Sequence, residues 1–140
     1  GGDEINEIKY GKNYGWPISS YGYKYSEPIN DDLNYSDNHK KYGFEEPIFS
    51  FIPSIGISEI IPVPKKFNEF WKNNFLISSL WGASIYRTRM SDDHKKIIYY
   101  EKIYVGKRIR DLKYSLSYNN FLLSVEDYWK GSASLCIISN

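Results

Sequence analysis

The sequence predicts an all-β fold, and three observations carry that prediction. Tyr, Phe and Trp make up 18% of the 140 residues, a proportion that suits pleated, half-buried surfaces better than helix packing. Short apolar runs recur between Pro, Gly and Asn punctuation. "NNFLISSL" and "NNFLLSVE" each place Asn-Asn before an apolar strand, at Asn73 and at Asn119, 46 residues apart. A period of about 40 to 50 residues is that of one four-stranded propeller blade, although two unrelated turns of similar composition would give the same pattern. On the blade reading the chain holds about two to three blades.

The elements follow in order. Gly11, Gly15, Pro17 and Gly22 break up the first stretch, with Tyr10, Tyr14, Trp16, Tyr21, Tyr23 and Tyr25 between them, which predicts loop and short strand held by aromatic packing. Residues 26–42 are polar and rich in Asn and Asp, so they are expected to form a long surface excursion. From Pro47 onward short strands are predicted at 48–52, 57–62, 75–80, 84–90 and 97–105, with a helical turn at 67–71. "RIRDLKYS", "NNFLLSVED" and "SLCIIS" supply three more strands. Sandwich, barrel and propeller all fit this spacing.

Composition closes several functional classes. With 18 Lys and Arg against 17 Asp and Glu, the net charge is +1, too small to gather nucleic acid or an anionic membrane. The most apolar stretch, 48–64, is broken by Pro53, Glu59 and Pro62, so no membrane span is expected. Cys136 is the sole cysteine and no internal disulfide can form. The opening Gly-Gly-Asp-Glu, without Met or a signal region, leads to the expectation that the chain begins inside a domain.

Arg108 and Arg110 are two apart, so on a regular strand they leave one face roughly 6 to 7 Å apart. Their repulsion costs about 2 to 3 kcal/mol at an effective dielectric near 20 and about 0.6 kcal/mol in water. If buried they need an anion; if exposed they need nothing. Asp111, on the opposite face of such a strand, is not their partner. Asp3 and Glu4 are placed in a Gly-rich turn with a second turn at Gly15, which could offer oxygens to Ca²⁺ or simply be solvated. His39 and His94 sit among charged residues without companion ligands and are read as exposed. The pairs at Lys65 and Lys95 read as solvated surface. No phosphate loop, zinc spacing or nucleophile elbow is present.

Taken together, "GGDEIN", "GKNYGWP", "EEPIFSFIPSI", "NNFLISSLWGASIYR" and "RIRDLKYS" resemble, in order and spacing, the C-terminal part of the soluble aldose and glucose dehydrogenases that use pyrroloquinoline quinone (PQQ), the glucose/sorbosone dehydrogenase-like family. The resemblance covers nearly the whole chain. It implies part of a six-bladed β-propeller, residues 1–140 being the C-terminal part with the N-terminal blades missing, PQQ over the central channel and Ca²⁺ supporting the site.

It implies further that Glu4 and Tyr14, the latter through its main-chain carbonyl, bind the metal. Tyr25, Ser79, Leu80 and Trp81 would lie at the cofactor, and Arg108 and Arg110 would meet its carboxylates. That last match agrees with the anion the paired arginines would need if buried, since PQQ is a tricarboxylate. Two departures stand out. Trp81 occupies a position where the family commonly has Lys, replacing a cation by a ring that can stack but cannot neutralise a carboxylate. "PSIGISEI", near Ile57 and Ser58, differs from the family's Pro-Ser-Gly pattern.

The family's general-base histidine would precede Gly1, so no catalytic residue is expected here, and the chain alone is expected to be inactive and prone to aggregation. The function implied is oxidation of an aldose or related polyol, with a small sugar as substrate, an external electron acceptor and a periplasmic or otherwise exported location. Two rivals remain: a non-catalytic, calcium-stabilised propeller binding a glycan or protein, which Trp81 favours, and a calcium-dependent sugar lactonase, which the two arginines oppose.

Overall fold

The computed structural model describes residues 1–23 and 35–140, which form two compact units, 1–55 and 56–140. Tyr25 and most of the predicted polar excursion lie outside the described residues. No α-helix occurs among those described, and no helix is long and apolar enough to cross a membrane.

The first unit is built on β1 (Asp3–Ile5) paired antiparallel with β2 (Phe49–Phe51). Asp3 and Glu4 are therefore strand residues, not turn residues as the glycines suggested. Strand alternation gives the adjacent carboxylates opposite duties. Asp3 accepts hydrogen bonds from the Ser54 hydroxyl (2.7 Å) and the Ile55 amide (3.0 Å), tying down the chain that follows β2. A 3₁₀ turn at Lys40–Tyr42 ends at Gly43. The expected aromatic packing is present in part: Trp16, though exposed, meets Tyr35 at 5.0 Å, whereas Tyr10 is exposed and Tyr14 is fixed by its hydroxyl, which donates to the Glu7 carbonyl and accepts from the Lys9 amide.

The second unit contains two antiparallel meanders. In one, β3 (Ile57–Pro62), β4 (Asn74–Ser79), β5 (Ser84–Met90) and β6 (Ile97–Tyr104) pair in chain order; in the other, β7 (Arg108–Ser115), β8 (Asn120–Glu126) and β9 (Ala133–Ile138) do the same. The expected strands are present within a residue or two, and the helical turn appears as a 3₁₀ turn at Glu69–Trp71.

The Asn-Asn repeat has a structural basis. Asn73 (φ 59°) and Asn119 (φ 54°) both adopt the left-handed region, which Asn tolerates better than other side chains. Each stands just before the second strand of its sheet. The two first strands also share a device: β3 carries a bulge between Ile57 and Glu59, β7 one between Ile109 and Asp111. The residues left without an opposite number are Ser58 and Arg110. The Ser58 hydroxyl donates to the Ile109 carbonyl (2.7 Å), so the contact with Ser78 Oγ at 2.8 Å must be donated by Ser78.

Between the sheets lie Phe67, Leu76, Ile85, Ile109, Leu112, Phe121, Leu123 and Val125, all buried, with the half-buried Cys136 packed against them. Along β8 the alternation is clean: Phe121, Leu123 and Val125 face inward and Leu122 faces out. Phe121→Ala should therefore cost about 3–5 kcal/mol, whereas Leu122→Ala should cost about 1 kcal/mol or less. Urea unfolding reads both, and equal losses would contradict the assignment of faces.

Candidate functional site

The bulge in β7 changes what the two arginines can do. Ile109 and Leu112, three apart, both reach the core because Arg110 is the extra residue between them. Arg108 and Arg110 consequently do not form the regular same-face pair expected from their spacing. Arg110 is paired with Glu126 through Nε and an Nη nitrogen, 2.6 and 2.5 Å from one carboxylate oxygen. Its charge is answered within the chain. Asp111, as expected, partners neither; it lies 3.4 Å from the Lys113 ammonium.

Arg108 is the unanswered one. It is half-buried, its Nε is buried without a hydrogen-bond partner among the described residues, and its guanidinium lies 5.4 Å from the centre of the Tyr128 ring. A buried donor left unpaired costs about 1–3 kcal/mol. Arg108 also lines a cleft of about 330 Å³ with Lys107, Leu80, Trp81, Tyr104 and the Tyr128–Trp129 pair. Two cations and four large rings thus line one open cleft.

The aromatic wall is held from beneath. Trp81, 70% exposed, meets Tyr128 edge-on at 5.9 Å, and Tyr128 meets Trp129 at 5.0 Å. The turn carrying Trp81 is pinned at both ends: Ser79, fully buried, donates to the Ser84 carbonyl and accepts from its amide, while the Leu80 amide donates to the Gly56 carbonyl at 2.7 Å. Gly56 (φ +65°) is needed there, because a Cβ would lie 3.2 Å from the Trp81 amide nitrogen. The turn carrying Trp129 is closed by Asp127, whose carboxylate accepts from the amides of Lys130 and Trp129. Those bonds hold its carboxyl below the usual range.

Of the residues singled out in this unit, Leu80, Trp81 and Arg108 therefore meet at the cleft, Ser79 supports it from below, and Arg110 stands with Glu126. Sequence reasoning passed over Lys107, Tyr104, Tyr128 and Trp129. The available signal was "DYWKG": two adjacent large rings in a turn cannot both be absorbed by an alternating strand.

The first unit holds the other candidate group. Glu4 is 14% exposed at its side chain and has no Lys or Arg partner among the described residues; its oxygens lie 3.3 Å from Asn6 Nδ2 and 3.7 Å from His39 Nε2. The Tyr14 carbonyl accepts no hydrogen bond from a described residue. His39 overturns its reading as a surface residue. It is fully buried, stacked on Tyr21 at 5.1 Å, with Nδ1 3.1 Å from Ser19 Oγ. His94 is exposed as expected. No cluster of three or more His, Cys, Asp or Glu with metal-binding geometry occurs among the described residues.

Tyr21 donates its hydroxyl hydrogen to Glu46 at 2.6 Å, and that bond, burial and the Glu46 charge push its phenol up to about 12. Because the folded-state value lies above the free value of about 10, the contribution to stability is present below pH 10 and is lost as pH rises through 12. Absorbance titration should find one tyrosine ionising near pH 12 in the folded protein, brought down by Glu46→Gln. No change in that variant would contradict the assignment.

The sequence model of the Glucose / Sorbosone dehydrogenase family matches residues 1–131. Among curated proteins, the chain is 30% identical over 115 residues to an uncharacterised protein of Synechocystis and 29% identical over 115 residues to an aldose sugar dehydrogenase of Escherichia coli. In each case the match covers 81% of this chain, but only 26% and 30% of those relatives. A crystal structure of glucose dehydrogenase superposes with a TM-score of 0.80 at 25% identity, all of this chain falling on 38% of that one. The soluble aldose sugar dehydrogenase of Escherichia coli in its apo-form gives 0.76 at 24% identity and 39% of its length. The all-β, partial-propeller fold expected from the sequence is the fold found.

Proposed function

The chain belongs to the glucose/sorbosone dehydrogenase family, and from that premise we propose that it forms the C-terminal part of a PQQ- and Ca²⁺-dependent dehydrogenase oxidising an aldose or related polyol. One observation carries the cofactor reading: the unpaired, buried Arg108 Nε in a cleft walled by aromatic rings. A flat, fused-ring tricarboxylate suits that lining.

Arg108 would bind a carboxylate through charge-assisted hydrogen bonds, with Lys107 as a second cation. Trp81 would stack on the ring face, and its indole in place of a family lysine then shifts charge neutralisation onto Lys107 and Arg108. Arg110 would contribute only by leaving Glu126. In the first unit Glu4 and the Tyr14 main-chain carbonyl would offer oxygens to a Ca²⁺ ion, which takes oxygen ligands; the Tyr14 hydroxyl is already used twice. Tyr25 is retained as a cofactor neighbour on the resemblance alone.

When bound, PQQ supplies the two-electron acceptor for the hydride leaving the sugar carbon, and an external acceptor then takes the electrons onward. The residues of this chain would hold and orient the cofactor; the resemblance assigns the proton of the sugar hydroxyl to a histidine of an earlier blade. A periplasmic or otherwise exported location belongs to this reading. A second reading, a non-catalytic propeller binding a glycan, is favoured by the exposure of Trp81 and Trp129 at the cleft, since exposed indoles stack on sugar rings as well as on a quinone.

Calorimetric titration of the full-length, Ca²⁺-loaded protein with PQQ, beside dye-linked oxidation of an aldose panel, separates the two. Arg108→Ala should weaken PQQ binding about 10- to 100-fold, and Arg110→Ala clearly less, because Glu126 already holds that side chain. A folded, calcium-loaded protein that binds no PQQ would overturn the dehydrogenase reading and leave the glycan-binding one.

A further inference from the structure

Tyr128 joins the contacts of the cleft. Its ring centre lies 5.4 Å from the Arg108 guanidinium, 5.9 Å from the Trp81 ring and 5.0 Å from the Trp129 ring. The backbone beneath it is tied by hydrogen bonds on both sides. The Asp127 carboxylate accepts from the Trp129 and Lys130 amides, the Gly131 amide donates to the Asp127 carbonyl, and the Asp127 amide donates to the Ser132 carbonyl. A ring carried by so closed a turn keeps its place, and a long, unpaired side chain beside it is fixed by the ring rather than the reverse.

Arg108 is such a side chain. In the pairing of β7 with β8 its opposite number is Glu126, an acid suited to hold a cross-strand arginine. The bulge has given Glu126 to Arg110, through two nitrogens at 2.6 and 2.5 Å. Arg108 is left with no acidic partner among the described residues, and the Tyr128 ring lies within the roughly 6 Å over which an aromatic face attracts a guanidinium. That attraction acts on the charge without consuming an N–H. The guanidinium is therefore held while its donors stay open to a carboxylate.

We propose that Tyr128 is a positioning residue of the cofactor site, its ring face holding the Arg108 guanidinium where a carboxylate of a planar anionic ligand is received. The inference rests on the reading above in taking Arg108 as the carboxylate-binding group, and adds what keeps it in place. A free arginine has several rotatable bonds to immobilise on binding. The ring completes part of that ordering before the ligand arrives. The role needs the aromatic face and not the phenolic hydroxyl.

The test is calorimetric titration of the full-length, Ca²⁺-loaded protein and its variants with PQQ, folding being checked by circular dichroism. Tyr128→Leu should weaken binding about 5- to 10-fold, and Tyr128→Phe, which keeps the ring, should restore most of that loss. The effect should run through Arg108: in an Arg108→Ala background, Tyr128→Leu should change affinity less than about twofold. Phenylalanines with successively more ring fluorines at position 128, which weaken the negative ring face and keep its shape, should weaken binding in step while Arg108 is present. They serve if Tyr128→Leu does not fold. A loss of equal size with and without Arg108, or fluorinated rings that bind PQQ as well as phenylalanine does, would overturn the inference while leaving the dehydrogenase reading standing. PQQ binding unchanged by Arg108→Ala would instead remove the reading on which the inference rests, and the inference with it.

Discussion

In β7 the two-residue pleat is interrupted at Arg110, with Ile109 opposite Val125 and Asp111 opposite Ser124, and the second unit is arranged around that interruption. Ile109 and Leu112 are both fully buried only because one residue has been looped out between them. The Ile109 carbonyl beside the bulge is met by the hydroxyl of Ser58, itself the extra residue in the bulge of β3. Two irregularities in neighbouring first strands thus satisfy each other, and the pair decides where the arginines go. Arg108 is left at the cleft with a buried, unpaired nitrogen, while Arg110 is carried to Glu126.

The same division of labour appears in the adjacent acids of β1. Asp3 is consumed by Ser54 and Ile55 as a structural clamp, which leaves Glu4 free of Lys and Arg among the described residues. In both strands, neighbouring residues of one charge type are separated into one that is answered within the chain and one that has no Lys, Arg, Asp or Glu partner among the described residues. The available arginine is surrounded by rings on rigid turns, a preorganised lining that loses little side-chain entropy on accepting a flat ligand.

Strand positions were legible in the sequence because apolar alternation and turn residues are local signals, and the "NNFL" repeat marked the equivalent turns of the two sheets. What was not legible depended on distant partners. The bulge at Arg110 is a matter of register against β8, and nothing in "RIRD" announces it. His39 looked solvated between Asn38 and Lys40, but Ser19 and Tyr21, some twenty residues earlier, bury it. The glycines around Asp3 and Glu4 suggested a turn, whereas pairing with Phe49–Phe51 makes a strand. Tyr128 and Trp129 were visible as an oddity in a turn, but only the fold brings them beside Trp81 and Arg108.

The central claim, that the unit formed by β3 to β9 offers Arg108 and an aromatic wall to a planar anionic cofactor, is tested most directly by a crystal structure of the full-length protein soaked with PQQ. The account predicts planar density in the cleft with a carboxylate on the Arg108 guanidinium, the Trp81 indole along the ring face, and Arg110 still on Glu126. Density bound elsewhere, with Arg108 unmoved and uncontacted, would contradict it.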